Sequence, residues 1–109
     1  MNPLLICAAL FVVDGDTIRC NDARVRLWGI DAPEMSEPDG HRSRRHLVVL
    51  TRGQRVVCRP RGRDRYRRVV ARCFVGTTDL ACAMVAAGHA KDWPRYSRGF
   101  YALCGGGEK

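Results

Sequence analysis

The chain has 109 residues, of which 46% are hydrophobic, and it carries a formal net charge of +8. This length is typical of one domain with one core, and the hydrophobic fraction excludes a chain that is disordered throughout. No apolar stretch approaches the roughly 20 residues of a membrane-spanning helix, so we expect a single domain over residues 1–109 and no association with membranes.

The stretch from Leu4 to Val13 is the most apolar part of the chain. It has no basic segment before it and no small-residue cleavage site, so it is interpreted as a buried strand over Leu5–Val13 rather than as a signal peptide. The alternative, in which residues 1–7 are the remnant of a signal, stays open. The strand ends at Asp14-Gly15-Asp16, which contains a typical turn dipeptide.

Two further strands are predicted directly after this turn. Thr17–Cys20 is an extended run, and after a turn at Asn21-Asp22 the chain returns as Ala23–Ile30, with alternate apolar residues facing inward. Pro33 then ends the extended segment, because proline lacks a backbone donor and fixes its own φ. Ser36–Gly40 is predicted to be a loop.

A helix and a hairpin follow. The helix covers Arg42–Arg52 and is stopped by Gly53. Gln54–Arg59 and Arg67–Val75 are predicted strands, joined by an arginine-rich turn over residues 60–66.

The second predicted helix is the best marked one. Asp79 is a good N-cap for a helix over Leu80–Ala87, which Gly88 closes. After it, Ala90–Tyr96 has no clear pattern and is predicted to be irregular. A third helix beginning at Gly99–Leu103 is cut short by three glycines, which leaves residues 103–109 as an irregular tail.

Five short strands with interposed helices predict an α+β protein that is mainly β. The expected architecture is a five-stranded barrel of the oligonucleotide-binding (OB) type with two to three short helices, the third of them truncated.

The chain contains six cysteines, at positions 7, 20, 58, 73, 82 and 104. No pair has the C-x-x-C spacing of a zinc site, so zinc is not expected. The high, even count favours disulfides and an oxidising compartment, while buried apolar thiols are the alternative. Cys58 and Cys73 are almost symmetric about Arg65-Tyr66, so a hairpin there would bring them opposite each other. Fifteen pairings are possible, and the sequence alone does not select among them.

The charges are sorted along the chain. Acidic residues crowd the first third, and about a dozen arginines follow between His41 and Thr78, where Asp64 is the only acid. Arginine presents a planar fork of donors that matches phosphate oxygens. The block therefore indicates nucleic-acid binding, although a merely solvated surface would have the same composition.

Carboxylates end two neighbouring predicted strands. Asp16 follows the first turn and Asp31 follows Ala23–Ile30, so an antiparallel meander can place the two side chains together. Carboxylate and backbone carbonyl oxygens are the ligands of hard cations such as Ca²⁺. The alternative is that both are ordinary turn residues.

Arginines complete a pattern that suits phosphodiester hydrolysis. Arg26 lies on the strand that leads to Asp31, and Arg68 belongs to a second polar cluster at Asp64–Arg68. Negative charge grows on the phosphate oxygens in the transition state, so the reaction needs a cation and hydrogen-bond donors around them. It also needs a group that orients or deprotonates water, and Glu34 follows Asp31 closely enough to do this. Taken singly, each arginine could be an exposed strand residue.

The chain contains, in this order, VDGDT at Val13–Thr17, RLWGIDAPE at Arg26–Glu34 and DRYRR at Asp64–Arg68. In order and approximate spacing these segments resemble the three signature blocks of the staphylococcal-nuclease-like (thermonuclease) family. The similarity runs from about Ala8 to Ala102. It implies an OB-type barrel with three helices and Ca²⁺-dependent hydrolysis of DNA and RNA.

The resemblance implies a calcium site. Asp16 and Asp31 would ligate Ca²⁺ together with the backbone carbonyl of Ala32. Asp14 would support these ligands without touching the ion, and Asp64 would lie near the metal end of the site.

The resemblance also implies roles in the reaction. Glu34 would hold the attacking water as general base or orienting group, and Arg26 and Arg68 would bind the phosphate and stabilise its developing charge. Tyr66 and Arg65 would contact the nucleotide. Water would attack phosphorus directly, without a covalent enzyme intermediate.

The chain departs from the family pattern at three points. Ala32 stands where members often carry threonine, which keeps a carbonyl ligand but removes a hydroxyl. Arg67 replaces a glycine before the second arginine, which strains the turn if that position needs an unusual φ. After Tyr101-Ala102 the family continues into a full third helix, and this chain does not. Loss of packing, association through the tail and a disulfide through Cys104 are the open alternatives.

We therefore expect a secreted or periplasmic nuclease, acting as a monomer on DNA and RNA with a preference for single strands. The alternative is a non-catalytic OB-fold module that binds single-stranded nucleic acid through a basic groove and stacking aromatics. An aromatic content of only 7% and an acidic cluster that repels phosphate speak against this alternative. The sequence does not decide between DNA and RNA or between endo and exo cleavage.

Overall fold

A computed structural model describes residues 3–105 as a curled mixed sheet flanked by short helices. The strands are β1 (Leu5–Cys7), β2 (Leu10–Asp14), β3 (Thr17–Cys20), β4 (Ala23–Leu27), β5 (Ile30–Asp31), β6 (Val56–Arg63), β7 (Val69–Val75), β8 (Thr78–Asp79) and β9 (Lys91–Asp92). The helices are α1 (Gly40–Thr51), α2 (Leu80–Ala86) and α3 (Pro94–Ser97), followed by a 3-10 helix over Ala102–Gly105. The predicted α+β class with an OB-type barrel is confirmed. Residues 1–2 of the proposed signal remnant and residues 106–109 of the predicted tail lie outside the described residues.

The main sheet has the strand order β1-β6-β7-β4-β3-β2, with β8 beside β7. β4 and β7 pair in parallel, and the other neighbours pair antiparallel. β1 and β2 lie at opposite ends of this order, yet only Ala8 and Ala9 separate them in the chain. The sheet must therefore curl until its two edges approach each other, which gives an open barrel whose edge strands β1 and β2 are not paired with each other within residues 3–105.

The bend between β1 and β2 interrupts the single strand that was predicted over Leu5–Val13. Asn21, in the left-handed conformation, accepts hydrogen bonds with Oδ1 from the N–H groups of Ala8 and Ala9 at 2.9 and 3.1 Å. Its Nδ2 donates to the carbonyl of Ile6 at 3.0 Å. The prediction of one continuous strand was wrong because a turn residue distant in sequence satisfies the backbone groups that the bend releases.

The β6–β7 hairpin extends further than predicted. The predicted turn covered residues 60–66, whereas β6 continues to Arg63 and the observed turn covers residues 64–68. A β-bulge between Pro60 and Gly62 lets Gly62 and Arg63 pair with β7, although proline and glycine are typical of turns.

Two of the three disulfides lie side by side in the core. Cys58 opposes Cys73 in the hairpin, as the symmetric spacing predicted, and the two form a disulfide. Cys7 is bonded to Cys20, which joins β1 to β3. The sulfur atoms of Cys7, Cys20 and Cys58 all lie within 4.8 Å of one another. Because each of these sulfurs belongs to a disulfide, none is a thiolate that could bind a metal.

The two longer helices follow the predictions closely. α1 covers almost all of the predicted Arg42–Arg52, and Gly53, with a φ of 70°, lies just beyond its end. Asp79 caps α2 as predicted, since its Oδ1 accepts from the N–H of Ala81 at 2.9 Å. Gly88, with a φ of 79°, follows α2.

The C-terminal segment is more ordered than predicted. Ala90–Tyr96, which was expected to be irregular, contains β9, paired with β5, and most of α3. The predicted third helix at Gly99–Leu103 is replaced by a turn that leads into the 3-10 helix. Cys104, in that 3-10 helix, forms a disulfide with Cys82 of α2. Of the three alternatives for this segment, the disulfide through Cys104 is the one that the structure contains.

The core lies inside the curled sheet and beneath α1 and α2. Its largest fully buried side chains include Tyr101, Ile18, Leu27, Ile30, Leu47, Leu80 and Met84. Among residues 3–105, no helix is both long and apolar enough to cross a membrane. Because the inside of the sheet is filled by this apolar core, the polar side chains of the sheet lie on its outer face and at its strand ends. The candidate site is found at these strand ends.

Candidate active site

The ends of three strands meet on one side of the barrel. Asp16 lies in the turn between β2 and β3, Arg26 lies in β4, and Asp31 ends β5. Thr17 pairs with Arg26 across the β3–β4 ladder, and the N–H of Leu27 donates to the carbonyl of Asp16 at 2.8 Å. This register brings Asp16 beside the guanidinium of Arg26.

Asp16 is a buried carboxylate, only 7% exposed. Its Oδ2 accepts from the N–H of Ala32 at 2.8 Å and lies 3.5 Å from Arg26 Nη2, and its Oδ1 accepts from the Thr17 hydroxyl at 3.1 Å. Burial raises the pKa of Asp16 to about 6, although Arg26 and the N–H of Ala32 act in the opposite direction. Ionising Asp16 is therefore costly in the absence of a further cation.

Asp31 is the exposed member of the pair, with 59% of its side chain accessible. Its Oδ1 lies 4.0 Å from Arg26 Nη2, the same nitrogen that faces Asp16. The structure thus gathers the two carboxylates predicted to bind metal around one guanidinium. Ala32, predicted to add a carbonyl, is buried and holds Asp16 through its N–H.

The turn that carries Asp16 depends on its two preceding residues. Asp14 Oδ1 accepts from the N–H of Asp16 at 3.1 Å. Gly15 packs against α1, where an added Cβ would overlap the Ser43 hydroxyl and lie 2.8 Å from the Cβ of Ala32. Gly15 is therefore required by close packing, and Asp14 acts on the site by shaping the backbone at Asp16.

The oxygen atoms at this point suit a hard cation. Asp16 and Asp31 offer carboxylate oxygens from the ends of two strands. All-oxygen sets of this kind bind Ca²⁺ or Mg²⁺, with water in the remaining positions. The exposure of Asp31 leaves room for water and for a substrate oxygen. A cation would also stabilise the ionised form of Asp16, so the residues present fit a divalent ion.

Arg68 is held in place by Asp64. Its Nε donates to Asp64 Oδ2 at 2.7 Å, and Asp64 Oδ1 accepts from the N–H groups of Tyr66 and Arg68, each at 2.9 Å. Burial would raise the pKa of Asp64, but these hydrogen bonds and the guanidinium hold it below its usual value. Arg68 Nη1 lies 3.4 Å from the Thr17 hydroxyl, which in turn donates to Asp16. Asp64 therefore acts on the site through Arg68, and Arg68 points towards the carboxylates.

The turn before Arg68 contains an unfavourable backbone conformation. Arg67 has a φ of 67°, in the left-handed region, and its N–H donates to the carbonyl of Asp64 at 3.0 Å. The unusual φ expected from the glycine of the related pattern is thus present, with an arginine in it. The structure keeps the turn because the N–H of Asp64 donates to the carbonyl of Arg68 at 3.0 Å and the N–H of Arg68 donates to the Asp64 carboxylate.

Glu34 lies in the loop between β5 and α1 and is exposed. Its N–H donates to the carboxylate of Glu37, and its carbonyl accepts from the N–H of Glu37 at 2.9 Å. Gly40 allows α1 to begin against this loop, since an added Cβ would lie 2.7 Å from the Cα of Met35. The loop is thus fixed by its backbone, and the Glu34 side chain remains accessible to water.

Tyr66 and Arg65 lie at the tip of the β6–β7 hairpin. Tyr66 is 63% exposed, and the guanidinium carbons of Arg65 and Arg68 lie 5.3 and 5.5 Å from its ring centroid. These contacts leave the tyrosine ring accessible beside the arginine that faces the carboxylates.

Several aromatic residues of the site were not predicted from the sequence. A cleft beside Arg26 and Arg68 is also lined by Trp28, Trp93, Arg95 and Tyr96. The Arg26 guanidinium carbon lies 5.5 Å from the Trp93 ring, and the rings of Trp93 and Tyr96 are 4.6 Å apart. The available signal was a proline at the first position of a helix, directly after Trp93.

The sequence profile of the family described as staphylococcal nuclease homologue matches residues 24–101, which is more than half of the chain. The match contains the segments Arg26–Glu34 and Asp64–Arg68 and begins after Val13–Thr17.

Three relatives illustrate the similarity. An uncharacterized endonuclease of Haemophilus influenzae is 33% identical over 96 aligned positions, and the match covers 84% of this chain and 54% of that protein. A probable staphylococcal-like nuclease of Oryza sativa subsp. japonica is 31% identical over 83 residues, 76% of this chain and 22% of that protein. A succinoglycan biosynthesis protein of Rhizobium meliloti is 34% identical over 103 aligned positions, and the match covers 84% of this chain and 54% of that protein. The chain thus spans about half the length of two of these relatives and a smaller part of the rice protein.

Proposed function

Because the chain belongs to the staphylococcal nuclease homologue family, we propose that it is a metal-dependent nuclease that hydrolyses phosphodiester bonds. The observation that carries this proposal is the arrangement of Asp16 and Asp31 around Arg26, with Arg68 joined to the same group through Thr17. Two acids for a cation and two arginines for a phosphate are what this hydrolysis needs.

Asp16, Asp31 and the carbonyl of Ala32 are the proposed ligands of Ca²⁺. When bound, the ion supplies Lewis-acid catalysis by withdrawing charge from the phosphate oxygens. Asp14 supports the ligands by holding the N–H of Asp16. The buried position of Asp16 supports this role, because its ionised form needs positive charge nearby.

Arg26 and Arg68 are the proposed phosphate ligands. Their guanidinium groups approach from β4 and from the turn that precedes β7, and Asp64 fixes the direction of Arg68. Donors that are already oriented stabilise negative charge as it develops and need no reorganisation during the reaction. Glu34 is the proposed group that orients or deprotonates the water, which its exposure allows.

DNA and RNA, preferably single-stranded, are the proposed substrates. Accessible ring faces lie beside the arginines at Tyr66 on the hairpin tip and at Trp93 and Tyr96 in the same cleft. Arg65, next to Tyr66, adds a further guanidinium group. Bases of a single strand can stack on such rings, whereas the bases of a duplex already stack on each other.

We also propose that the protein acts as a monomer in an oxidising compartment, either secreted or periplasmic. The three disulfides support this location, because such bonds are rarely stable in the reducing cytosol.

A digestion assay tests the proposed function. We expect the protein to degrade single-stranded DNA and RNA in Ca²⁺, to stop in EDTA, and to lose at least about 100-fold in rate on Asp16→Asn. Asp22→Asn is the matched control, because it removes the same charge from an exposed turn on the same barrel. Cleavage that persists in EDTA, or equal losses in the two variants, would contradict the proposal.

The alternative function, a non-catalytic module that binds single strands, predicts a different result. Such a module would bind in a salt-dependent manner, would be indifferent to Ca²⁺ and would leave the strand intact. The all-oxygen donor set at Asp16 and Asp31 favours the nuclease, because a pure binder gains nothing from carboxylates that repel phosphate.

A further inference from the structure

The outer face of the β6–β7 hairpin carries arginines and aromatic rings. Arg59 and Arg72 are opposite each other in the ladder, and Phe74 follows on the same outward face of β7. Cys58 and Cys73, the intervening positions, point into the core. This alternation places cations and rings together on the surface of the barrel.

These side chains are in contact with one another. The guanidinium carbons of Arg59 and Arg72 lie 5.5 and 5.1 Å from the centroid of the Phe74 ring. Arg72 also lies 4.8 Å from the ring of Phe100, which is 52% exposed. The surface therefore continues from the hairpin to the C-terminal segment.

Trp28 connects this surface to the candidate active site. Its ring centroid lies 5.8 Å from that of Phe100, and the Arg61 guanidinium carbon lies 4.1 Å from it. Arg61 is the extra residue in the β6 bulge, which lets its side chain reach the Trp28 ring. Trp28 also lines the cleft that contains Arg26 and Arg68. A continuous row of rings and guanidinium groups thus leads away from the site.

Acidic residues neutralise only part of the charge of this row. Arg72 is paired with Asp79 at 3.0 Å, whereas Arg59 and Arg61 form no ion pair with any residue between 3 and 105. Both are exposed. The row therefore offers two guanidinium groups for phosphates, the exposed ring of Phe100 and the half-buried rings of Trp28 and Phe74.

We propose that this row, the arginine–aromatic track of Trp28, Phe74, Phe100, Arg59 and Arg61, binds the part of a single-stranded nucleic acid that extends beyond the cleavage site. The inference rests on the proposed nuclease function, because it assigns the strand's path from that site. Alternating rings and cations are how proteins hold single strands without reading sequence. Duplexes are a poor fit, since their base faces are covered.

Binding in EDTA tests the track without cleavage. The probe is a labelled single strand of about 12 nucleotides, and its affinity is measured across a series of salt concentrations. Each phosphate neutralised on a single strand contributes about 0.7 to the slope of log affinity against log salt, so R59S/R61S should make the slope shallower by roughly 1.4. The matched control is R45S/R52S, which removes two exposed arginines of α1 and its C-cap that are not in the track. The control slope should equal that of the wild type.

Cleavage kinetics in Ca²⁺ locate the effect on the long substrate. For each protein, the ratio of kcat/KM for the 12-nucleotide strand to kcat/KM for a dinucleotide is compared. R59S/R61S should lower this ratio by about 5-fold or more, and R45S/R52S should leave it within about 2-fold. Thermal melts of both variants check that all proteins remain folded, which the exposure of the four side chains favours.

The outcomes separate the two proposals. Equal changes in both variants, or no change in R59S/R61S, would overturn the track. If the wild type cut neither substrate but the slope still changed only in R59S/R61S, the proposed nuclease function would fail while the binding track stood.

Discussion

Asp16 combines a buried position with a carboxylate that the proposed chemistry needs in its ionised form. Burial raises its pKa to about 6, against an ordinary value of 3.8. The folded protein therefore binds this proton more tightly than the unfolded chain does. Stability is highest while the proton is bound and falls as the pH rises from about 4 to above 6, on the order of 3 kcal/mol in total.

Asp16→Asn should remove this pH dependence. In EDTA at pH 8 we expect the variant to unfold at higher denaturant concentration than the wild type, and near pH 4 we expect the two to be similar. Addition of Ca²⁺ at pH 8 should stabilise the wild type and leave the variant unchanged. Urea unfolding at several pH values measures the free energy of unfolding of both proteins. If the difference between them were the same at pH 4 and pH 8, burial of Asp16 would not be the cause of the pH dependence.

Arg67 has a backbone conformation that is unfavourable for a residue with a side chain. Its left-handed φ of 67° costs a residue with a Cβ about 1–2 kcal/mol, a cost that glycine avoids. Arg67→Gly should therefore stabilise the fold by about 1 kcal/mol, after the larger chain entropy of unfolded glycine is subtracted.

Arg65→Gly is the control for Arg67→Gly. It removes the same charge from the same turn, where φ is not positive, and should not stabilise the protein. Equilibrium unfolding of both variants gives the comparison. A similar gain in both would indicate relief of charge repulsion instead of backbone strain.

Among the elements of the fold, the C-terminal segment has the most direct connection to the candidate site. The Tyr101 ring packs against Gly29, where an added Cβ would lie 2.9 Å from it. The N–H of Tyr101 donates to the Asp92 carboxylate at 3.2 Å, and Asp92 lies in β9, which pairs with β5 and hence with Asp31. The segment therefore supports the strand that presents one proposed metal ligand.

Removal of the Cys82–Cys104 disulfide should weaken both stability and metal binding. The bond closes a loop of 22 residues, so replacing both cysteines by alanine should cost about 3 kcal/mol. It should also reduce Ca²⁺ affinity, because the support of Asp31 becomes looser. Calorimetric titration with Ca²⁺ measures the affinity.

The Cys58–Cys73 disulfide provides the control for this effect. It spans 15 residues, so its loss should cost a similar free energy. The hairpin ladder still holds both strands, and we expect Ca²⁺ affinity to be kept in the folded variant. If both double variants lost affinity equally, the C-terminal segment would have no particular role at Asp31.

For the whole molecule, local patterns were enough to predict the barrel and the gathering of charged residues. Turns on both sides marked β3, and alternating apolar residues marked β4, so Asp16 and Asp31 were expected to meet near Arg26. The predicted strand Ala23–Ile30 ran past the observed end of β4 at Leu27. Asp79 and Gly88 marked α2 because cap geometry depends on neighbouring residues only. These signals are short-range, and a single sequence contains them in full.

Features that depend on tertiary contacts were not predicted. α3 is one turn long, and such a helix is stable only when packing supports it. The bend after β1 depends on Asn21, a residue from another turn. The aromatic side of the cleft was missed for the same reason, because Trp93 and Tyr96 reach Arg26 only after β9 pairs with β5.

The neighbouring sulfur atoms of Cys7, Cys20 and Cys58 have a consequence for production of the protein. During oxidation of the reduced chain, a thiolate on any of the three finds two others within easy reach, so exchange into mismatched pairs competes with the native bonds. Recovery of the correct disulfide isomer then depends on repeated disulfide exchange. A disulfide isomerase accelerates this exchange, and bacterial cytoplasm does not provide such an enzyme.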